Sequence, residues 1–174
     1  RVASLHQRSS EWHGRQGFME EALRHALAAG NTQHAAKIVE QQVHARLNQE
    51  DWRGVERSLS MLPPDLLRQR PSLMMAQAWV LGVQHKLPPM FPLLQSSEAV
   101  LADSASPLSE TERRVGQAEA NFLRAYALFW QTRQASESLA LAQQALADLP
   151  SSYLYARGVA YLVEGLALYV TGHP

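Results

Sequence analysis

The side chains best suited to hold a metal or move a proton are seven histidines: His6, His13, His25, His34, His44, His85 and His173. A helical zinc site needs two histidines four residues apart with a glutamate between them, so that both rings leave one face. No pair here has that spacing, and His6 and His13, two turns apart on one face, are too distant for one ion. They read as surface and packing histidines. Phosphate binding fares no better: no glycine-rich loop ends in Lys-Ser or Lys-Thr, and Lys37 and Lys86 are the only lysines. Ser9-Ser10, Ser58, Ser60 and Ser151-Ser152 never fall in a nucleophile elbow. Paired carboxylates occur only as Glu20-Glu21, Glu50-Asp51 and around the Ser109 to Glu112 stretch, at helix starts where the helix dipole accounts for acids. The chain is expected to hold no catalytic residue, no cofactor and no metal, and the reading is a non-enzyme.

Aromatic and charged residues offer recognition rather than catalysis. Trp12, Trp52 and Trp79 lie on apolar stripes and are expected to pack between helices. Trp130 differs, because it adjoins Phe129 on one helix but points about 100° away, so the two cannot share a narrow seam. Arg157 and Glu164 stand seven apart on one face of an otherwise apolar helix and would need partners if buried. Trp130, Arg157 and Glu164 are therefore the candidate ligand or partner contacts. Arginine outnumbers lysine fourteen to two, with Arg68-Arg70 and Arg113-Arg114 the closest clusters, and these read as exposed solvating pairs.

The elements that must carry these residues are helical. Isoleucine occurs once, at Ile38, while alanine and leucine abound, and 46% hydrophobic content is ample for a core. Sixteen basic residues balance sixteen acidic ones, which argues against contact with nucleic acid or an anionic membrane surface. The absence of cysteine suits a reducing compartment, and no secretory signal opens the chain, so a cytoplasmic location is expected. The stretch from Tyr153 to Gly172 has bilayer length, but Arg157 and Glu164 make it a buried helix rather than a span.

Punctuation divides the chain into about nine helices. The first lies around Leu5 to His13 and the second at Phe18 to Ala29, with Gly14 and Gly17 between them. Gly30 stops the second, and Asn31 caps a third bearing Ala35, Val39, Val43 and Leu47. Asp51 caps the fourth, with Trp52, Val55, Leu59 and Leu62, which ends at Pro63-Pro64. Pro71 opens a fifth carrying Leu73, Ala76, Val80 and Val83, closed by Pro88-Pro89. The sixth spans Phe91 to Leu101. Ser109 and Glu112 have capping-box spacing at the start of a long seventh with Val115, Ala118, Phe122, Ala125 and Phe129. Ala135 to Leu149 makes the eighth and Tyr153 to Thr171 the ninth.

A weak repeat overlies these helices. Tetratricopeptide-type helix pairs recur about every thirty-four residues with small residues at the crossings. Phe122 and Phe129 sit on the first helix of such a pair, Ala145-Leu146 on the second, and Pro150 closes it. Gly158 and Tyr161 then fall where the next repeat wants a small residue and an aromatic. Trp12, Gly17, Ala22 and Ala26 make a looser pair. The expected fold is all-α: a tetratricopeptide-like superhelical array of antiparallel helix pairs over residues 1–174, one helical-repeat domain in which neighbours must stack to bury each apolar face. A first residue of Arg1 and a helical pattern running almost to Pro174 suggest a fragment of a larger multidomain protein.

The stretch from Leu5 to Gly30 resembles the segment that follows the nucleotide-binding and winged-helix domains in MalT-like, LuxR-type ATP-dependent transcriptional regulators. The shared features are Leu5-His6, Trp12, Gly17, then Glu21-Ala22-Leu23, His25-Ala26-Leu27 and Ala29-Gly30. Leu62 to Trp79 and Leu149 to Gly172 fit the same family. The resemblance implies a helical sensor arm of a signal-transduction ATPase. In such proteins effector or partner binding is coupled to oligomerisation and transcription activation, and ATP is expected in the parent's N-terminal domain. It implies a protein partner or small-molecule effector, self-association of the parent, and no nucleic-acid contact by this segment. The alternative is a free-standing tetratricopeptide adaptor that grips a peptide or helix of a partner protein.

Overall fold

A computed structural model describes residues 2–172, so His173 lies outside the described residues. Ten helices and no strand are found among them: α1 Val2–Arg15, α2 Met19–Ala28, α3 Thr32–Leu47, α4 Trp52–Ser60, α5 Pro64–Gln69, α6 Pro71–Val83, α7 Met90–Ala102, α8 Glu110–Thr132, α9 Ala135–Asp148 and α10 Leu154–Thr171. The chain is an all-α array.

Local chemistry sets the breaks. Asn31 accepts a hydrogen bond from the His34 N–H at 3.0 Å, and Asp51 accepts one from the Gly54 N–H at 2.9 Å, each satisfying a donor orphaned at a helix start. Ser109 and Glu112 form the reciprocal capping box, and hydrogen bonds from the Ser109 side chain and then its main chain hold the Glu112 carboxyl below its usual range. Gly30, at φ +74, supplies the left-handed stop after α2.

Two breaks differ from expectation. Gly14 lies inside α1, and the turn falls on Gly17. Pro63-Pro64 does not end in a loop: Pro64 opens the six-residue α5, a position where its missing N–H costs nothing, and this tenth helix is the one the punctuation conceals.

The helices pack as neighbouring pairs, α1 with α2, α3 with α4, α6 with α7 and α8 with α9. The first helix of each later pair also lies on the second helix of the pair before, and so does α10 on α9. The first helices of successive pairs touch in the order α3, α6, α8, α10. Each pair leaves an apolar face that only its neighbour can cover, so one hydrophobic cluster runs from Ala22 to Val163. In the middle of the row, α6 buries nine of its thirteen residues, as a helix with neighbours on most sides must.

Buried serines mark the crossings. Ser10 Oγ donates to the Ala22 carbonyl at 2.7 Å across α1 and α2, and Ser138 Oγ donates to the Ala125 carbonyl at 2.8 Å across α8 and α9. Both serines are fully buried, and alanines beside them let the backbones approach. Gly158 and Tyr161, expected at a crossing, instead face outward on α10: nothing lies within 4 Å of a Cβ built at Gly158, and Tyr161 is exposed. With Leu154, Leu162, Gly165 and Tyr169 they form an apolar stripe at helical spacing on the outer side of α10. No helix among the described residues is long and apolar enough to cross a membrane, α10 included.

Candidate functional site: the concave groove

The row α3, α6, α8 and the start of α10 lines the inner face of the array. There the chain encloses a cavity of about 860 Å³. Leu66, Met75, Leu101, Leu108 and Val115 give it apolar walls, while Lys37, Glu40, Arg70, Glu119 and Tyr153 bring polar groups to it. That mixture, mostly apolar with a few convergent polar groups, is the common composition of a ligand site.

At its floor Glu119 and Tyr153 belong to a polar cluster drawn from α3, α6, α8 and the residue before α10. Glu119 is only 6% exposed. Its Oε1 accepts the Trp79 indole N–H at 2.9 Å and lies 2.9 Å from His44 Nε2. A carboxylate buried this deeply is costly unless hydrogen-bonded, and these two donors supply the compensation. The His44 ring stacks on Tyr153 with centroids 3.4 Å apart and planes 12° from parallel. Burial pushes the Tyr153 hydroxyl up to about 12, and the nearby Glu119 charge acts in the same direction, so the phenol stays protonated at neutral pH.

Beside this stack the array closes on itself. Asn48, just past the end of α3, donates to the Ser152 carbonyl at 2.8 Å and accepts from the Tyr155 N–H at 2.9 Å. These bonds clasp α3 to α10 across more than a hundred residues of chain.

At the rim, Arg70 donates to both oxygens of Glu40 at 3.0 and 2.9 Å and also to Gln33. Ser72 Oγ adds a bond to Glu40 at 2.5 Å. The outer wall, the loop between α7 and α8, is pinned by Arg113, which donates to the carbonyls of Leu101, Asp103 and Ser106. Lys37 is exposed at the mouth and forms no ion pair among the described residues.

Trp130, Arg157 and Glu164 lie elsewhere and do not meet. Trp130, half exposed, stands edge-on to Tyr126 and Phe129 near the end of α8. Arg157 donates to the carbonyls of Leu146 and Leu149 at 3.0 and 2.9 Å, satisfying the C-terminal end of α9, and also to the Tyr161 hydroxyl. Glu164 accepts from Gln143 across the α9 and α10 seam. Of the other tryptophans, Trp79 is core and Trp52 half-buried against the core, but Trp12 is 51% exposed rather than packed, because α1 lies chiefly on α2.

The hairpin of α1 and α2 places His25 between His6 and His13. His6 and His25 approach Nδ1 to Nδ1 at 2.8 Å, and His25 stacks on His13 with centroids 5.3 Å apart. No group of three His, Cys, Asp or Glu side chains among the described residues is placed to hold a metal ion.

The fold and its groove define an array of paired helices with a polar-floored inner cavity. No family model matches the chain, and no solved structure matches it.

Proposed function

We propose that this chain is the non-catalytic, signal-sensing helical arm of a bacterial transcriptional activator of the MalT-like, LuxR-type class, working in the cytoplasm. The observation that carries this reading is the groove lined by Glu119 and Tyr153, both held by His44 where α3 meets the start of α10. An effector or partner in the groove has different contacts when the clasp is closed and when it is open. That difference in affinity is what a shift between two states of the array requires. The arm transmits this shift to oligomerisation of the parent protein. ATP binding and DNA reading belong to other domains of that protein, and the sequence motifs of the first helical hairpin support the assignment.

The gene tests it. An open reading frame encoding a phosphate loop before this segment and a helix-turn-helix after it supports the activator. Hydrolysis of ATP by the isolated chain would overturn the non-catalytic role. The exposed stripe of Leu154, Tyr161, Leu162 and Tyr169 favours a second reading, a free-standing adaptor that grips a partner helix on α10. A reading frame lacking both flanking domains would support it.

A further inference from the structure

The charges around the groove are not equally available. Glu40 is neutralised by the two-pronged bond from Arg70, and Glu112 is engaged by Ser109 in the capping box. Two opposite charges are left at its two ends. Lys37, exposed at the mouth, has no ion pair among the described residues, and Glu119 on the floor is held by two donors, both directed at one of its oxygens. Lys37 and His44, the floor histidine, are seven residues apart on α3, about 10 Å along the helix at ~1.5 Å per residue. Leu66, Met75 and Val115 line the cavity between Lys37 and Glu119; His44 stands behind Glu119, 2.9 Å from its Oε1.

We propose that the groove binds a small zwitterion with an apolar spacer: an ammonium group at Glu119, a methylene or aromatic body against Met75 and Val115, and a carboxylate or other anion at Lys37. Neither end group alone meets both needs of the site. An anion at the floor would face the buried Glu119 carboxylate, and a cation at the mouth would face Lys37. An ammonium on the floor gives Glu119 a third donor in a place of low dielectric, where a charge-assisted bond is strongest. Because that group would sit one bond from His44, which stacks on Tyr153, its binding also favours the closed clasp between α3 and α10. This deepens the sensing role proposed above and rests on it for its biological meaning, though not for the binding itself.

The test is calorimetric titration of the whole chain with three probes of one length: 8-aminooctanoate, octanoate and octylamine. The bipolar probe is expected to bind at one saturable site at least tenfold more tightly than either one-ended probe. Lys37→Gln, an exposed substitution that spares the core, should bring its affinity down to that of octylamine, and Glu119→Gln should remove the advantage of the amino group. Equal affinities for the three probes, no saturable heat, or a Lys37→Gln variant that binds as the wild type does would overturn the proposal. Those results leave the arm assignment to the gene's flanking domains, and a gene without such domains leaves the titration unchanged, so the two can fail separately.

Discussion

Ser138 and Glu119 are both buried polar side chains on the α8 and α9 pair, yet they are satisfied in opposite ways. The Ser138 hydroxyl bonds to a carbonyl thirteen residues away on the adjoining helix, and the seam around it is alanine. The Glu119 carboxylate depends on side chains from α3 and α6, with Trp79 forty residues away in sequence and His44 more distant still. A seam of the first kind is local and uncharged at its buried serine, and it recurs across α1 and α2. A groove floor of the second kind exists only once the whole row of helices has stacked, and it places a charge where an apolar residue would pack at lower cost. The seams are what hold the helices together, while the groove floor is where the array carries polar groups that packing does not need.

The largest effect is expected where the two regions meet. Phe122 is 1% exposed and stacks on Trp79, with centroids 5.0 Å apart. Phe122→Ala should cost about 3–5 kcal/mol in urea unfolding, by lost burial and the cavity left behind. A smaller loss is expected at the floor itself. Glu119→Ala strands the Trp79 N–H and the His44 ring nitrogen and should cost about 1–3 kcal/mol, while Glu119→Gln, which keeps an acceptor, should recover part of it. Comparing the two urea midpoints separates the hydrogen bonds from the charge.

Ser138→Ala, in the seam, should cost about 1 kcal/mol and leave the groove unaltered, readable as an unchanged affinity for 8-aminooctanoate. The smallest effect concerns pH. Burial raises the hydroxyls of Tyr126, Tyr153 and Tyr155, Tyr153 to about 12, so the unfolded chain ionises first, at about 10. Above that pH the unfolded state binds fewer protons than the folded one, and stability falls until the folded hydroxyls ionise as well. Tyr153→Phe should flatten this alkaline fall in thermal melts recorded from pH 9 to 12.

Much of the array was legible because helix signals are local. The stripe of Ala35, Val39, Val43 and Leu47 is buried as its spacing requires, and Asn31, Asp51 and the Ser109 to Glu112 box cap the helices they precede. α5 was hidden because a proline pair stops one helix and opens another with the same residues. The left-handed residues Glu50, His85 and Arg133 give no signal of their own, since glycine is the residue that announces such a turn.

The groove was less legible. Glu119 lies beside Ala118 and three residues before Phe122, and an acid so close to an apolar stripe was the one available sign. Its partners could not be read from it, because the curl of the array brings His44 and Tyr153 together from opposite ends of the chain. Trp130 stood out by its angle to Phe129, and Arg157 and Glu164 by their shared face on an apolar helix; the structure gives the latter two local duties at the α9 and α10 seam.

The central claim is the proposal that the groove binds a ligand while the seams only support. The most direct measurement is calorimetric titration of the chain with 8-aminooctanoate, taken alongside thermal unfolding, for wild type and Lys37→Glu. Lys37 is exposed, so the unfolding free energy should stay within about 0.5 kcal/mol of the wild type. The account predicts that the saturable binding is lost while the fold is kept. A Lys37→Glu chain that binds 8-aminooctanoate as the wild type does would contradict it.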